Sequence, residues 1–338
     1  MRAARLHEIG KPLTIDEVPV PEVSGDEVLV RVAGAGVCHT DVHIRSGEFP
    51  IPPDAEWPLT LGHESAGFVE AVGPEVTGLA EGDAVIVWGA CGCGRCRHCR
   101  AGHEPICDIS LWVAGGGYAD YLHLPASRHA VKLGALDPIE AAPLADAGLT
   151  PYRAIKRALP HLYPGSAAIL IGIGGLGHLA VQILRALSPA TEILAVDTSE
   201  ARLSLALELG ADHAIDARGD AIAEIARLTG GEGANVVIDL VGIDATLRTA
   251  TASVARRGIL VQVGIGGGTV PLSFFATRPE ALITNSFWGA PDELEELVAL
   301  AARGSVRTRV TRHALTEVND ILDRLERGEI SGRAVLVP

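Results

Sequence analysis

The sequence predicts an α/β fold in which a doubly wound parallel sheet is inserted into an antiparallel, barrel-like β domain. Three observations give this fold class. From Met1 to about Ala147, short strand-like runs are broken by Pro and Gly, as in small β domains. After Thr150, strand and helix patterns alternate, which is typical of a parallel sheet. A glycine-rich turn that begins at Gly172 joins the first of these strands to a helix.

The predicted domain boundaries follow these changes of pattern. Residues 1–147 and 289–338 are expected to form the β domain, with a cysteine-rich lobe at 91–107, and residues 148–288 the parallel sheet, with a cleft between the two domains. The parallel strands are predicted near positions 167, 193, 213, 236, 259 and 282. After Gly289, we expect helices at 292–303 and 316–327 and a final strand at 333–337 that returns to the first domain.

Charge and hydropathy exclude several classes of partner. The net charge of −14 argues against nucleic acid or an anionic membrane surface. No early apolar run has the length of a signal or membrane segment, so we expect a cytoplasmic protein. Because five of the 6 cysteines lie within 91–107, metal binding is expected there rather than disulfides.

The glycine-rich turn is part of a predicted dinucleotide site. Gly172, Gly174 and Gly177 follow a strand-like run in G-x-G-x-x-G spacing and precede an apolar stripe of helical period. The glycines allow the turn, the approach of a pyrophosphate to the helix N-terminus, and close helix packing. Asp197 has the spacing of a ribose-binding acid and favours NAD, whereas nearby Arg202 leaves NADP open. The alternative is a loop that only turns the chain.

The cysteine-rich lobe predicts a closed metal site. Its four candidate ligands have the spacing C-x2-C-x2-C-x7-C, which suits a structural zinc ion, with an iron–sulfur cluster as the alternative. Cys91 is left over as an ordinary thiol. The four ligands are Cys93, Cys96, Cys99 and Cys107.

A second metal site is predicted from the segments GVCHTDVH at 36–43 and LGHESAG at 61–67. Cys38 and His63 offer one sulfur and one imidazole, and a catalytic zinc needs a third protein ligand and an open position. Asp146 is our choice for the third ligand. The alternatives are a buried thiol, a satisfied core histidine and an aspartate that caps the next helix.

These motifs, in this order, resemble the zinc-dependent medium-chain alcohol dehydrogenases over the whole chain, and among them bacterial NAD-dependent secondary-alcohol dehydrogenases. The resemblance implies a Rossmann NAD-binding domain, a GroES-like catalytic domain and two Zn²⁺ per chain. It makes Cys38, His63 and Asp146 the catalytic zinc ligands and the four-cysteine lobe the structural site. Many family members have cysteine at the position of Asp146.

The resemblance also implies roles for residues around the catalytic zinc. Asp41 is expected behind the zinc histidine, and Glu64 beside the metal. Thr40 is expected to take the proton of an alcohol and pass it through the cofactor ribose to His43, which releases it to water. The alternatives are a turn hydroxyl and a surface imidazole.

The predicted cofactor site includes further residues at the turn and at the ends of the later strands. By resemblance, His39 and Arg333 contact the pyrophosphate and Thr150 lies near the nicotinamide. The others are Gly175, Leu176, Val241, Val263, Gly264 and Ile265.

The sparse aromatic residues predict an apolar substrate pocket over the zinc, although each could equally be a core or subunit-contact residue. The expected substrates are small to medium hydrophobic primary or secondary alcohols, aldehydes and ketones. The alternatives are a zinc-dependent polyol or other specialised dehydrogenase, and a non-enzymatic zinc- and nucleotide-binding protein. The resemblance also implies a homotetramer. The pocket residues are Trp57, Trp112, Phe287 and Trp288.

Overall fold

The computed structural model describes residues 1–51, 55–107 and 116–338, which form two compact units. Unit 1 comprises Met1–Ala147, Gly289–Ala302 and Thr308–Pro338, and unit 2 comprises Gly148–Trp288 and Arg303–Arg307. The sequence assigned 303–307 to the first domain. The structure groups this segment with unit 2. There, Arg307 N donates to Gln182 Oε1 at 2.9 Å, and Gln182 Nε2 donates to Arg307 O at 3.0 Å.

Unit 1 contains the first eight and the last two strands of the described chain. These are β1 (Arg2–Leu6), β2 (Thr14–Glu17), β3 (Val28–Gly36), β4 (Leu59–Thr60), β5 (Glu64–Val72), β6 (Ala84–Val87), β7 (Tyr121–Leu124), β8 (Ala130–Lys132), β15 (Val310–Ala314) and β16 (Arg333–Val337). Its helices are α1 (His39–Ser46), α2 (Arg97–Arg100), α3 (Pro138–Ala141), α9 (Pro291–Ala302) and α10 (Val318–Glu326).

Unit 2 contains the intervening strands and helices. Its strands are β9 (Ala167–Ile171), β10 (Glu192–Asp197), β11 (His213–Asp216), β12 (Ala234–Asp239), β13 (Val254–Gln262) and β14 (Leu282–Asn285). Its helices are α4 (Leu149–Ala158), α5 (Gly177–Leu187), α6 (Glu200–Glu208), α7 (Ala221–Leu228) and α8 (Asp244–Ser253).

The large sheet of unit 1 has the order β15-β16-β3-β5-β6-β8, with β7 paired to β3, and a smaller sheet has the order β2-β1-β4. The pairing is antiparallel except between β15 and β16, which confirms the predicted antiparallel β domain. Alternate residues of β3, Val28, Val30 and Val32, point into the core, where Ile321 and Leu322 of α10 also lie. The C-terminal strand β16 pairs with β3, as predicted.

The register between β3 and β5 sets the positions of Cys38 and His63, which lie just beyond the two strands. Gly36 lies opposite Glu64 in this antiparallel pair. A side chain at Gly36 would overlap the Glu64 side chain, so glycine is required where the two strands approach. Cys38, which follows β3, and His63, which precedes β5, therefore lie at the same end of this strand pair.

The sheet of unit 2 is parallel throughout and has the order β11-β10-β9-β12-β13-β14. Numbered within the sheet, this is the 3-2-1-4-5-6 order of doubly wound dinucleotide-binding folds. All five residues of β9 are buried, as its continuous apolar run predicts. The order reverses between β9 and β12, so the loops after these strands border the expected ligand crevice.

The C-terminal elements differ slightly from their predicted bounds. The first helix, α9, begins and ends one residue earlier than predicted. The second, α10, begins at Val318 because residues Leu315–Glu317 form a 3-10 turn. Strand β14 ends at Asn285, so Phe287 and Trp288 lie beyond it rather than at its end. Among the described residues, none of the helices combines the length and apolarity needed to cross a membrane.

Candidate metal centres and dinucleotide site

Three ligand candidates that are distant in sequence converge in unit 1. Cys38 Sγ lies 3.5 Å and His63 Nε2 lies 3.4 Å from Asp146 Oδ2. Around a tetrahedral zinc with bonds of about 2.0–2.3 Å, neighbouring ligand atoms are roughly 3.4–3.6 Å apart. The donor set and its spacing therefore fit one Zn²⁺. A carboxylate oxygen of Glu64 belongs to the same group of atoms, all within 4.8 Å of one another.

Local structure explains why these side chains meet. Cys38 is the N-cap residue of α1 and lies two positions after the end of β3, and His63 immediately precedes β5. The 3-10 turn Ala142–Ala145 packs against β3 and β5 and delivers Asp146 to the same point. The N-cap of the following helix is Gly148, so Asp146 does not cap that helix.

The Asp41 carboxylate is fully buried behind His63 and accepts hydrogen bonds from several directions. Its Oδ1 lies 3.4 Å from His63 Nδ1 and accepts from Gly62 N at 3.3 Å. Its Oδ2 accepts from Cys38 N at 3.0 Å and from the Tyr118 hydroxyl at 2.8 Å. Burial alone would raise the pKa of Asp41, but His63 and these hydrogen bonds lower it. An ionised carboxylate at Nδ1 directs His63 Nε2 towards the metal position.

His63 has the complementary perturbation. Burial alone would lower the pKa of His63, but the charge of Asp41 and hydrogen bonds to Asp146 and Asp41 raise it well above its ordinary value. The imidazole thus lies between two carboxylates that favour positive charge. A divalent cation at Nε2 supplies that charge when the ring is neutral.

Glu64 and Arg333 form a buried ion pair at the edge of the centre. Arg333 Nη2 donates to Glu64 Oε1, and both side chains are buried. Burial raises the pKa of Glu64 to about 7, although Arg333 opposes this shift. Within the described residues, Glu64 Oε2 has no hydrogen-bond partner. A buried carboxylate with one unpartnered oxygen, and with an oxygen within 4.8 Å of the three candidate ligand atoms, is consistent with a cation site.

Thr40 and His43 lie one turn apart on α1. Thr40 Oγ1 is 3.7 Å from Cys38 Sγ, and the His43 side chain is 26% exposed. His43 Nδ1 is hydrogen-bonded to Glu48 Oε2 at 2.7 Å. Gly47, with φ +83°, ends the helix and returns the chain, so that Glu48 N–H donates to His43 O at 2.9 Å. The sequence analysis did not identify Glu48 as a partner of His43. A predicted helix end at Gly47 would have placed Glu48 close to the last turn of α1, where His43 lies.

The cysteine-rich lobe brings its four predicted ligands together. The measured Sγ–Sγ distances are 3.4 Å for Cys96–Cys99, 3.9 Å for Cys96–Cys107 and 3.9 Å for Cys93–Cys99. Four sulfurs about 2.3 Å from one zinc are roughly 3.8 Å apart, whereas a multi-iron cluster spreads its cysteines further. The lobe therefore fits one Zn²⁺. Burial raises the pKa of Cys91, outside this set, to about 11.

The glycine-rich turn after β9 has a distinct reason for each glycine. Gly172 has φ +91°, and a side chain there would overlap Val241. A side chain at Gly177, the first residue of α5, would overlap the Gly172 backbone. At Gly174, a Cβ would meet nothing within 4 Å. Gly174 therefore faces open space at the N-terminus of α5, as the approach of a pyrophosphate requires.

Asp197, at the end of β10, is bonded to this turn. Its Oδ2 accepts from Ile173 N at 2.7 Å and its Oδ1 from Ser199 N at 2.9 Å. Each carboxylate oxygen can accept a second hydrogen bond, so these contacts leave acceptor capacity for ribose hydroxyls. Arg202 Nη1 lies 3.9 Å from Asp197 Oδ2.

The loops after β12 and β13 lie against each other at the same edge of the sheet. A side chain at Gly264 would overlap the backbone of Val241. Buried Asp239, which the sequence did not single out, accepts from Val241 N at 2.9 Å and Gly242 N at 3.0 Å. Val263 is buried at the end of this edge, and Ile265 is exposed.

The remaining predicted residues are distributed over both units. Gly175 and Leu176 lie in the turn before α5, and Thr150 is buried in α4 of unit 2. His39 is exposed at the start of α1 in unit 1. Trp57 and Phe287 are exposed, whereas Trp288 is 5% exposed. Trp112 lies outside the described residues.

Comparison with known proteins places this geometry in context. Residues 24–135 match the alcohol dehydrogenase GroES-like domain, and residues 175–303 match a family described as zinc-binding dehydrogenase. The NAD-dependent alcohol dehydrogenase of Sulfurisphaera tokodaii is 42% identical, over 100% of both chains. The D-arabinose 1-dehydrogenase (NADP(+)) of Saccharolobus solfataricus is 37% identical, over 100% of this chain and 97% of that one. The crystal structure of the alcohol dehydrogenase of Aeropyrum pernix has 43% identity and a TM-score of 0.92, over 100% of both chains.

The metal geometry predicts about two Zn²⁺ per chain and about one after Asp146→Ala, because a catalytic site with two remaining protein ligands holds zinc weakly. Elemental analysis of the purified proteins measures this ratio. Asp292→Ala, at an exposed position of α9, is the matched control and should keep both ions. A ratio of two in Asp146→Ala would contradict the ligand assignment.

The glycine geometry predicts that two similar substitutions in the turn have different effects. Gly174→Ala should leave the melting temperature of the apo protein unchanged but weaken NAD binding about tenfold or more, since the methyl group occupies the space of the pyrophosphate. Gly177→Ala should lower the melting temperature, because its methyl group meets the Gly172 backbone. Calorimetry and NAD titration measure the two effects. Equal behaviour of the two variants would refute this interpretation.

Proposed function

Because the chain belongs to the zinc-dependent medium-chain alcohol dehydrogenase family, we propose that it is an NAD-dependent alcohol dehydrogenase. It transfers hydride reversibly between NAD and small to medium hydrophobic primary or secondary alcohols, aldehydes or ketones. The observation that carries this proposal is the convergence of Cys38, His63 and Asp146 at the distances of a zinc site. A chain that only sensed nucleotides would not need such a centre.

In this proposal each unit holds part of the required chemistry. Cys38, His63 and Asp146 hold the catalytic Zn²⁺, and the four-cysteine lobe holds a structural Zn²⁺. When bound, zinc supplies a Lewis acid that makes an alcohol hydroxyl more acidic, and NAD supplies the hydride acceptor. Asp41 orients His63, and Arg333 holds one oxygen of Glu64.

Thr40 and His43 are proposed to carry the proton of the substrate. The hydroxyl of Thr40 lies next to the ligand Cys38, so it is positioned to accept the alcohol proton. His43, one helical turn further, is partly exposed and releases the proton to water. Glu48 holds Nδ1 of His43, which leaves Nε2 for proton exchange.

The proposed coenzyme is NAD rather than NADP. The buried Asp197 carboxylate accepts hydrogen bonds but repels a 2′-phosphate. For the alternative function, a zinc-dependent polyol or other specialised dehydrogenase, the D-arabinose 1-dehydrogenase (NADP(+)) relative is weaker support than the NAD-dependent alcohol dehydrogenase relatives give to the main proposal.

NADH formation on a panel of alcohols and polyols tests the proposal. We expect turnover of hydrophobic primary or secondary alcohols with NAD, and its loss on treatment with a zinc chelator. Preferential turnover of polyols or sugars would favour the alternative, and no turnover of any alcohol would overturn the proposal.

Thr40→Val tests the proton path. The variant should keep both zinc ions and bind NAD normally, while kcat for alcohol oxidation falls about 10²–10⁴-fold, the range of general acid–base catalysis. Thr40→Ser, which retains a hydroxyl, is the matched control and should recover most of the activity. Near-normal turnover in Thr40→Val would refute the relay.

We also propose that the enzyme is a cytoplasmic homotetramer. Its five thiolate ligands suit a reducing compartment. In unit 2, Phe274 and Phe275 are 89% and 94% exposed, and the edge strand β14 carries exposed Leu282. Such surfaces are typical of subunit contacts.

Replacing Phe274 and Phe275 together by serine should convert tetramers to smaller species in analytical ultracentrifugation, because an apolar contact is lost. Leu207→Ser, at an exposed position of α6, serves as control. A wild-type monomer, or an unchanged tetramer in the double variant, would contradict this assignment.

A further inference from the structure

We propose that Tyr118 is a positioning residue of the catalytic metal centre, acting through Asp41 on His63. The inference rests on the proposed function, in which His63 is a zinc ligand. Tyr118 lies near the start of the described segment 116–338 and was not among the residues predicted from the sequence. Its hydroxyl holds the carboxylate that orients the zinc histidine.

The hydroxyl group is the only part of the Tyr118 side chain that a phenylalanine could not replace. The ring lies in the apolar core of unit 1 and is fully buried. The hydroxyl donates to Asp41 Oδ2 at 2.8 Å and lies 3.4 Å from Gly36 O. A buried hydroxyl that donates to a buried carboxylate makes a charge-assisted hydrogen bond, which is stronger than a neutral one.

The four donors around Asp41 are not equivalent. Cys38 N and Gly62 N are backbone groups, which side-chain substitution does not remove. His63 Nδ1 is the group that Asp41 orients. Tyr118 therefore supplies the one remaining side-chain contact in the described network. Without the Tyr118 hydroxyl, the only remaining described donor to Asp41 Oδ2 is Cys38 N. Because the site is shielded from water, the carboxylate is then held less firmly.

The backbone around Tyr118 is tied directly to the segment that precedes His63. Gly116 N and Tyr118 N donate to Leu61 O at 3.2 and 3.0 Å, and Gly117 N donates to Gly62 O at 3.0 Å. We call residues 116–118 the strap. The strap thus places the Tyr118 hydroxyl relative to the backbone that carries the zinc histidine.

Gly62 permits this close approach. Its φ of +91° is unfavourable for other residues, and a side chain there would overlap the Tyr118 ring. The glycine of the GHE segment thus makes room for the tyrosine ring. The strap, Asp41 and His63 consequently share one rigid frame.

This frame has a consequence for metal affinity. Asp41 Oδ1 faces Nδ1 of His63 and so directs Nε2 towards Asp146, 3.4 Å away. Loss of a direct partner of a metal-binding histidine typically costs 10–100-fold in metal affinity or activity. Tyr118 lies one hydrogen bond further from the metal, so we expect its hydroxyl to contribute about 3–10-fold.

The test compares zinc release from Tyr118→Phe and wild-type holoenzyme in the presence of a chromogenic chelator. The four-cysteine lobe provides an internal reference, because it binds the same metal without the Asp41 network. Release from the catalytic site should be about 3–10-fold faster in the variant, with the lobe unchanged. Cobalt substituted at the catalytic site should show a shifted absorption band, which reports ligand geometry.

Two controls separate positioning from general destabilisation. Tyr121→Phe removes a hydroxyl three positions along the chain, outside the described Asp41 contacts, and should leave zinc release unchanged. In an Asp41→Asn background, Tyr118→Phe should have little further effect, since it acts through the charge on Asp41.

Unchanged release, or equal acceleration at both sites, would overturn the inference. A Tyr118→Phe protein that fails to fold while Asp41→Asn folds would also overturn it, because the hydroxyl would then serve the fold. These readouts do not require alcohol turnover. An inactive wild type with site-selective zinc loss in Tyr118→Phe would therefore refute the proposed function and support the role of Tyr118.

Discussion

The antiparallel register of β3 and β5 is the constraint on which the metal centre depends. Gly36 and Glu64 are paired across the two strands, so the chain leaves β3 towards Cys38 where it enters β5 from His63. A shift of one residue would turn the side chains of one strand to the other face of the sheet and displace the ligand at its end, because side chains alternate along a strand. The absence of a side chain at Gly36 makes room for Glu64 and thereby fixes this register. The pairing of the two strands thus brings the candidate ligands Cys38 and His63 to the same end of the sheet.

The charges around the centre explain why such a site needs a cation. The carboxylates of Asp41 and Asp146 lie on either side of His63, and Glu64 lies beside this group, paired with Arg333. Burial and the neighbouring charge of Asp146 raise the pKa of Glu64 to about 7, although Arg333 opposes this shift. A divalent ion between Asp146, His63 and the Cys38 thiolate offsets the cost of these negative charges. Metal binding and folding of this region are therefore coupled.

The sequence predicted those features that local pattern encodes. The strand, turn and helix around Gly172 and the spacing of the four-cysteine lobe both depend on residues close together in the chain. The overall architecture followed from the change in pattern near Thr150. These features need no knowledge of tertiary contacts.

The contacts missed by the sequence depend on packing between distant segments. Tyr118 reaches Asp41 only because the strap is hydrogen-bonded to residues 61 and 62. Arg333 meets Glu64 because β16 pairs with β3, which in turn pairs with β5. Neither partner has a spacing that a motif could reveal. The exposure of Phe274 and Phe275 is likewise set by how the chain folds around them, and their hydropathy alone does not reveal it.

The two candidate metal centres differ in their donor atoms and in how their residues are spaced along the chain. In the four-cysteine lobe, every ligand is a thiolate from one short segment, and four sulfurs complete a tetrahedron. In the other centre, the three proposed ligands come from three separate segments, and a neighbouring carboxylate, that of Glu64, is held at one oxygen by Arg333. With Glu64 held by Arg333, a Zn²⁺ bound by Cys38, His63 and Asp146 would keep a position for a substrate oxygen. A closed site of four thiolates stabilises a loop. A site with three protein ligands, in which Arg333 restrains Glu64, can exchange its fourth ligand, and catalysis requires this exchange.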